Sequence, residues 1–241
     1  MGAQWKHAGR VANASKRGAV LGKAVKEIMV AAKLGGPEPD GNARLRAALE
    51  AARKISVPRD TIERAIKRGA GLTDEPVTYE LVTFEGFAPH QVPVIVECLT
   101  ENRNRTSSDV RVLFRSGQLG QPGAVAWMFD RWGVVEATTG GTGVDIESVA
   151  IEAGAQNVEP LEKSEVAAGQ TGARFFCDTT DLATVSNFLT KSGWTVTASE
   201  MSYVAKNYID SLSDDAKAEV AEFLGKIDDN DDVHRVYAAL R

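Results

Sequence analysis

The sequence predicts an α+β protein, with an N-terminal three-helix module, a middle α+β domain and an inserted ferredoxin-like βαββαβ domain. Three observations carry that expectation. Residues 2–71 place apolar side chains at helical spacing between glycine stops. Residues 76–131 then read as strand, strand, helix, strand, and residues 132–204 give the order βαββαβ, which is that of a ferredoxin-like unit. The predicted domains are therefore 1–75, 76–131 together with 205–241, and 132–204.

In the first helix, between Lys16 and Lys33, Leu21, Val25, Ile28, Met29 and Ala32 form one apolar stripe, and Gly35-Gly36 supplies the stop. At about 100° per residue, Lys16, Lys23, Lys26 and Lys33 share one arc away from that stripe, making a basic ridge. A second helix, from about Asn42 to Ile55, turns Leu45, Ala48, Leu49 and Ala52 inward and Arg44, Arg46, Arg53 and Lys54 outward. The third follows Pro58, with Asp60 as its cap and Gly69 as its stop. It carries Ile62, Ala65 and Ile66 on one side and Arg59, Arg64, Lys67 and Arg68 on the other.

The middle region opens with the strand in "VTYELVTFEGFAP" and continues in "VPVIVEC", where Val92, Val94, Val96 and Cys98 alternate with Pro93, Ile95 and Glu97. "LTENRNRT" then leads into a helix carrying Val110, Leu113 and Phe114, for which Asn104, Thr106 or Ser107 can serve as cap. Arg103 and Arg105 stand at this helix start. Two readings are open: an ion-paired surface with Glu97, Glu101 and Asp109, or a site for an anion such as phosphate. Gly117, Gly120 and Gly123 read as a turn, and "GAVAWMFD" as a further strand. In the third region the strands are "GVVEAT", "NVEPLEK", "ARFFCDTT" and "WTVTASEMSYV", with helices over Asp145 to Ala153 and Asp181 to Ser192. A helix from Ser213 to about Asp228 and the strand "VHRVYAAL" are expected to return to the middle domain's sheet.

With 241 residues, 43% hydrophobic and 25% charged, the chain has the composition of a soluble globular protein. No apolar run approaches the roughly 18 residues of a membrane helix, and Lys6 stands where a myristoylation signal has Ser or Thr. The first 26 residues lack any acid, as a mitochondrial presequence does, but are expected to belong to the folded module. Two cysteines, Cys98 and Cys177, are too few for a disulfide framework or a cysteine-based zinc site, and fit a reducing cytoplasm. The net charge of -5 hides a division. Residues 1–72 hold fifteen Lys and Arg against six Asp and Glu, a net +9, and the remainder thirteen against twenty-seven, a net -14. A basic module on an acidic body points to a polyanionic partner for one end.

Enzymatic constellations are lacking. His7, His90 and His234 are scattered, there is no nucleophile elbow or Walker-type loop, and carboxylates such as Glu80 and Glu85 read as ordinary strand residues. "DDNDD" at 228–232 resembles the opening of a calcium loop, but Val233 and Ala239 replace its glycine and closing glutamate, so it reads as a solvated helix end. No cofactor, metal or small-molecule substrate is implied.

Eight stretches carry a resemblance to the YebC family, which has mitochondrial translational-activator relatives: "KRG" (16–18), "AAKLGG" (31–36), "DGNARLRAAL" (40–49), "VPRDTIERAIKRG" (57–69), "FEGFAP" (84–89), "ENRNRTSSDVR" (101–111), "GQLGQPGAVAWMF" (117–129) and "DDVHRVY" (231–237). The start, "GAQWKHAGR", departs from the family's usual order but keeps Trp5 and a basic character. The resemblance implies the same three domains and a cytoplasmic, non-enzymatic protein acting on gene expression. It implies either a DNA-binding transcriptional regulator or a ribosome-associated factor that helps translation through stretches such as consecutive prolines. The expected nucleic-acid contacts are Lys16, Arg17, Lys23, Lys26, Lys33, Arg44, Arg46, Arg53, Arg64, Lys67, Arg68, Arg103 and Arg105. For a specific operator binder, reversing the charge of Arg44 and Arg46 is expected to spare the fold and abolish binding. The partner expected is nucleic acid, DNA or ribosomal RNA; no helix sets Asn, Gln and Arg at groove-reading positions, which favours structured RNA, read through the shape of its backbone. The competing reading is a protein-interaction adaptor whose acidic body recruits the partner.

Overall fold

The computed structural model describes residues 15–73, 79–141, 143–163 and 165–240, with the backbone alone for 15–19. Trp5, Lys6 and His7 lie outside the described residues, as do the side chains of Lys16 and Arg17. In chain order the elements are α1 (Ser15–Gly35), α2 (Ala43–Lys54), α3 (Arg59–Gly69), β1 (Glu80–Ala88), β2 (Val92–Thr100), α4 (Arg103–Leu113), β3 (Gln118–Leu119), β4 (Phe129–Gly140), α5 (Ile146–Ala153), β5 (Asn157–Pro160), β6 (Gln170–Cys177), α6 (Leu182–Lys191), β7 (Thr195–Ala205), α7 (Asp214–Asp228) and β8 (Val233–Ala238). The fold is mixed helix and sheet, as expected. The chain forms two compact units: one of the described residues up to Lys26, with 71–130 and 203–240, the other of 27–70 and 131–202.

The first unit is built on an antiparallel sheet of order β3-β1-β2-β8. β2 is buried along nearly its whole length because both its faces are covered. Val92, Val94, Val96 and Cys98 meet Val110 and Phe114 of the α4 segment and Val220, Phe223, Leu224 and Ile227 of α7. Ile95 joins Val125, Phe129, Ala205 and Tyr237 on the opposite face. The last strand returns to this sheet: β8 pairs with β2, Ile95 opposite Tyr237 and Val96 opposite Val236.

The second unit holds a sheet of order β5-β6-β4-β7, in which β6 lies between β4 and β5 and antiparallel to both. This is the split βαβ arrangement that the element order predicts. Its core joins Val135, Ala137 and Phe175 to Val185 and Leu189 of α6, with Trp194 edge-on to Phe175 at 5.5 Å. In the helical part of this unit Asn42 ties two elements together. Its Oδ1 accepts from Leu45 N–H at 3.0 Å as the α2 cap, and its Nδ2 donates to the carbonyls of Ala31 and Gly36 at 2.8 and 2.9 Å.

Several local expectations are corrected. The α4 cap is Asn102, whose side chain accepts from Arg105 N–H at 3.1 Å; the later candidates are already inside the helix, where Thr106, Ser107 and Ser108 donate back to carbonyls one turn earlier. Asp60 sits in the first turn of α3, whose cap position is Pro58. Gly69 is the last helical residue and not a stop beyond it, and its hydrogen faces the backbone of Met29 so closely that a methyl group has no room. "GAVAWM" is a turn and not a strand; the strand starts at Phe129.

The turn owes its shape to Glu85, which is buried in β1. Its carboxylate accepts three backbone N–H groups, from Gly123 at 2.7 Å, Val125 at 2.9 Å and Ala126 at 2.7 Å. Burial pushes its pKa up, but the three hydrogen bonds outweigh that and hold it below the ordinary 4.5. Both cysteines are buried free thiols, pushed up by burial to about 12 for Cys98 and about 11 for Cys177.

Replacing Glu85 with Gln is expected to cost about 1–3 kcal/mol of unfolding free energy at neutral pH. Because the folded-state pKa is depressed, this contribution is fully present above the ordinary carboxylate value and fades as the pH falls through the native one. Urea unfolding of both proteins between about pH 7 and about pH 3 should show the gap closing on the acid side; a gap that stays constant contradicts this account.

Candidate nucleic-acid interface

Each unit holds part of the predicted basic set, and the cations differ in whether their charge is already engaged. In the second unit α2 and α3 are amphipathic: Leu45, Ala48, Leu49, Ala52 and Ala65 are buried, which turns the long basic side chains outward. Lys33, Arg53, Lys54, Arg64, Lys67 and Arg68 are exposed. Arg64 donates to the carbonyl of its own helix at Asp60, 3.2 Å away, and keeps its charge unpaired by that bond. Arg59 is exposed and pairs with Glu63 one turn on, at 2.8 Å, a contact of small energetic consequence at such a surface. The basic residues Arg53 and Lys54 fall in the last turn of α2, and Lys67 and Arg68 in that of α3.

Arg44 and Arg46 are placed differently from one another. The Arg44 side chain is 11% exposed, with Nε donating to Glu27 at 2.8 Å and Glu200 at 3.9 Å from its guanidinium. Its charge is committed within the unit, so the expectation that reversing it spares the fold is replaced by the opposite one. Arg46 reaches Asn187 Oδ1 at 3.0 Å and retains a net charge. A cleft of about 220 Å³ runs past Ala31, Asn42, Arg44, Leu182 and Met201, and among the described residues Arg44 is the one ionisable side chain in its wall.

In the first unit, the middle of the lysine ridge meets the acidic run 228–232. Lys23 pairs with Asp228. Lys26 is half-buried, and loss of solvent lowers its pKa while Asp232 and Asp231 oppose that shift. Asp232, a mostly buried side chain, accepts from Thr106 Oγ1 at 2.7 Å and pairs with Arg105 at 3.1 Å, while Glu101 stands 3.6 Å from the same guanidinium. Asp228 and Asp232 are therefore counterions within the unit, a correction to the solvated helix end expected, while Asp229 and Asp231 stay exposed. The two arginines of "LTENRNRT" separate: Arg105 is ion-paired, and Arg103 is exposed with no partner among the described residues. Glu97, one of the expected counterions, instead accepts from the Tyr237 hydroxyl at 2.9 Å.

Three arginines fall on the α4 segment with their charges free: Arg103, Arg111 and Arg115 are exposed and unpartnered among the described residues. Sequence reasoning does not single out Arg111 and Arg115, which lie beyond the helix start; the signal that could find them is the absence of an acid one turn away on the same face. Among the described residues no group of three or more His, Cys, Asp or Glu is arranged to hold a metal ion, and no helix is long and apolar enough to cross a membrane.

Two family models match this sequence in succession: the TACO1/YebC protein N-terminal domain over residues 2–72, and the TACO1/YebC second and third domain over residues 79–240. A probable transcriptional regulatory protein of Pseudomonas syringae pv. syringae is 50% identical over 241 residues, covering 100% of this chain and 99% of that one. Another from Bdellovibrio bacteriovorus is 50% identical over 242 residues and the full length of both. Among solved structures, a conserved hypothetical protein from Aquifex aeolicus superposes with a TM-score of 0.79 at 34% identity, over 94% of this chain and 91% of that one. With both family models matched in order and half of all residues shared with full-length relatives, the chain belongs to the TACO1/YebC family.

Proposed function

We propose that this protein is a non-enzymatic regulator of gene expression that binds nucleic acid through the free cations of α2 and α3. The observation that carries the reading is the contrast in charge state: Arg53, Lys54, Arg64 and Lys67 are exposed and carry no ion pair among the described residues, while Arg44 and Arg105 are neutralised internally. Cations held on rigid helices without counterions are what a phosphate backbone replaces its condensed ions with, and release of those ions drives association. The names of the relatives, probable transcriptional regulatory proteins, support a role in gene expression. The contact proposed is to phosphates, with no base-reading side-chain set, so that structured RNA, including ribosomal RNA, is favoured over a DNA operator. Ribosome association and a cytoplasmic location are part of this proposal.

Affinity for a structured RNA and for duplex DNA, measured side by side over a salt series, tests the reading. Binding should fall steeply between about 50 and 200 mM salt, and an absence of binding at any salt would leave the adaptor reading in its place. The double variant Arg64→Glu/Lys67→Glu should fold normally and lose at least roughly tenfold in affinity, with a shallower salt slope. Arg44→Glu should instead lower the unfolding free energy by about 3–5 kcal/mol, because it breaks a desolvated pair and gathers three carboxylates; circular dichroism during urea titration separates the two effects.

A further inference from the structure

Between α2 and α6, both in the second unit, lies a cleft of about 200 Å³. Ala47, Trp194 and Val196 give it apolar walls, and Thr190 lines it from α6. The methyl group of Ala47 is too short to fill the space between the helices, so a gap stays open beside the core that Ala47 and Trp194 help to close. The walls also carry two charged side chains, Arg46 and Glu50, one turn apart on the same face of α2 and both half-buried. Glu50 has no hydrogen bond or ion pair among the described residues, although Arg46 lies one turn before it and Lys54 one turn after, the favoured order for a helical Glu–Lys pair. Arg46 gives one N–H to Asn187 Oδ1 at 3.0 Å, a neutral acceptor that steadies the guanidinium and leaves its charge uncompensated among the described residues.

The chemistry of the occupant follows from this pair. The cleft is smaller than the roughly 300–1,000 Å³ of a pocket for a drug-sized ligand, and suits one small ring system. A carboxylate repels a phosphate or an acid, and a guanidinium repels a cation, so the occupant is neutral, with donors toward Glu50 and acceptors toward Arg46. Guanine offers both along one continuous edge: N1–H and the 2-amino group as adjacent donors, then O6 and N7 as adjacent acceptors, each pair matched to a bidentate partner. The other RNA bases do not combine two adjacent ring-edge donors with two adjacent acceptors. The same face of α2 continues to Arg53, which is exposed and unpaired among the described residues. A base in the cleft therefore has a cation near it for the phosphate of its own strand, whereas a free amino acid would satisfy the charged pair and leave Arg53 unused.

We propose that the cleft between α2 and α6 is a binding site for an unpaired guanine base of an RNA strand, with Glu50 accepting from N1–H and the 2-amino group and Arg46 donating to O6 and N7. It rests on the nucleic-acid reading above and adds base selection to the phosphate contacts of α2 and α3. No groove is read: the base enters only where it is out of its pair, in a loop, a bulge or a single-stranded end.

The test is fluorescence anisotropy at low salt with labelled single-stranded oligouridylates of about nine nucleotides, carrying guanosine, inosine, adenosine or uridine at the centre. The wild-type protein should bind the guanosine strand roughly tenfold more tightly than the adenosine or uridine strand, and inosine, which lacks the 2-amino group, should lose a large part of that preference. Glu50→Ala should erase the preference and still bind the uridine strand at least as tightly, because a negative charge has left a phosphate-binding face. Arg46→Met should narrow the preference as well. Neither side chain holds an ion pair among the described residues, so both variants should melt at the wild-type temperature. Equal affinity of the wild type for all four strands, no binding of any of them, or a Glu50→Ala variant that keeps the guanosine preference overturns the cleft; the α2–α3 reading falls with it only where structured RNA and duplex DNA also go unbound.

Discussion

Burial of β2 on both faces is the constraint that organises the first unit. A strand with Val92, Val94 and Val96 facing one way and Ile95 the other is stable only when both layers are covered and both edges are paired. One edge is met by β1, nine residues of it in unbroken register. The other has no candidate nearby in sequence and is met by β8, from the end of the chain. Everything between β4 and β7 must therefore leave and return, which is why a second sheet is accommodated without altering the first. The helix α7 that precedes β8 supplies Val220, Phe223 and Leu224 to one of the two layers, so the return also closes the core.

Charge is sorted as strictly as hydrophobicity. Arg44 with Glu27, and Arg174 with Glu136 at 2.7 Å and Glu165 at 3.4 Å, are largely buried, and each is held by more than one oxygen, which is what lets a desolvated guanidinium remain ionised. Arg105 is half-exposed yet equally committed, through both carboxylate oxygens of Asp232. Arg53, Arg64, Lys67 and Arg103, on the outer faces of α2, α3 and α4, have no such partners among the described residues. Net charge per domain, which first suggests a polyanion, is thus the coarse shadow of a finer distinction, and that distinction decides which side chains can meet one.

The periodic elements are legible in the sequence because local pattern and final packing agree: the stripe of α1, the alternation in β2 and the βαββαβ order each require one face or one order only. The basic set is legible as composition but not as availability. Whether Lys23 or Lys67 is free depends on Asp228 lying beside one and on no acid among the described residues pairing with the other, and Asp228 is distant in sequence. The role of Glu85 is hidden for the same reason. Nothing in "FEGFAP" announces that its carboxylate meets backbone N–H groups some 38–41 positions later, and "GAVAWM" has strand-like residues whose backbone is bent by that one side chain. The cap of α4 lies two residues before the first candidate because several capping residue types stand in a row, and only Asn102 lies just outside the first turn.

The two thiols carry a practical consequence. Cys98 and Cys177 sit at 0% exposure in their strands, with pKa values pushed up to about 12 and about 11, so almost no reachable thiolate exists at neutral pH. A single cysteine introduced on the exposed face of α3 or α4 would be alkylated against a silent native background. Spectroscopic labels can thus be attached to the full chain without first replacing residues that fill its two cores.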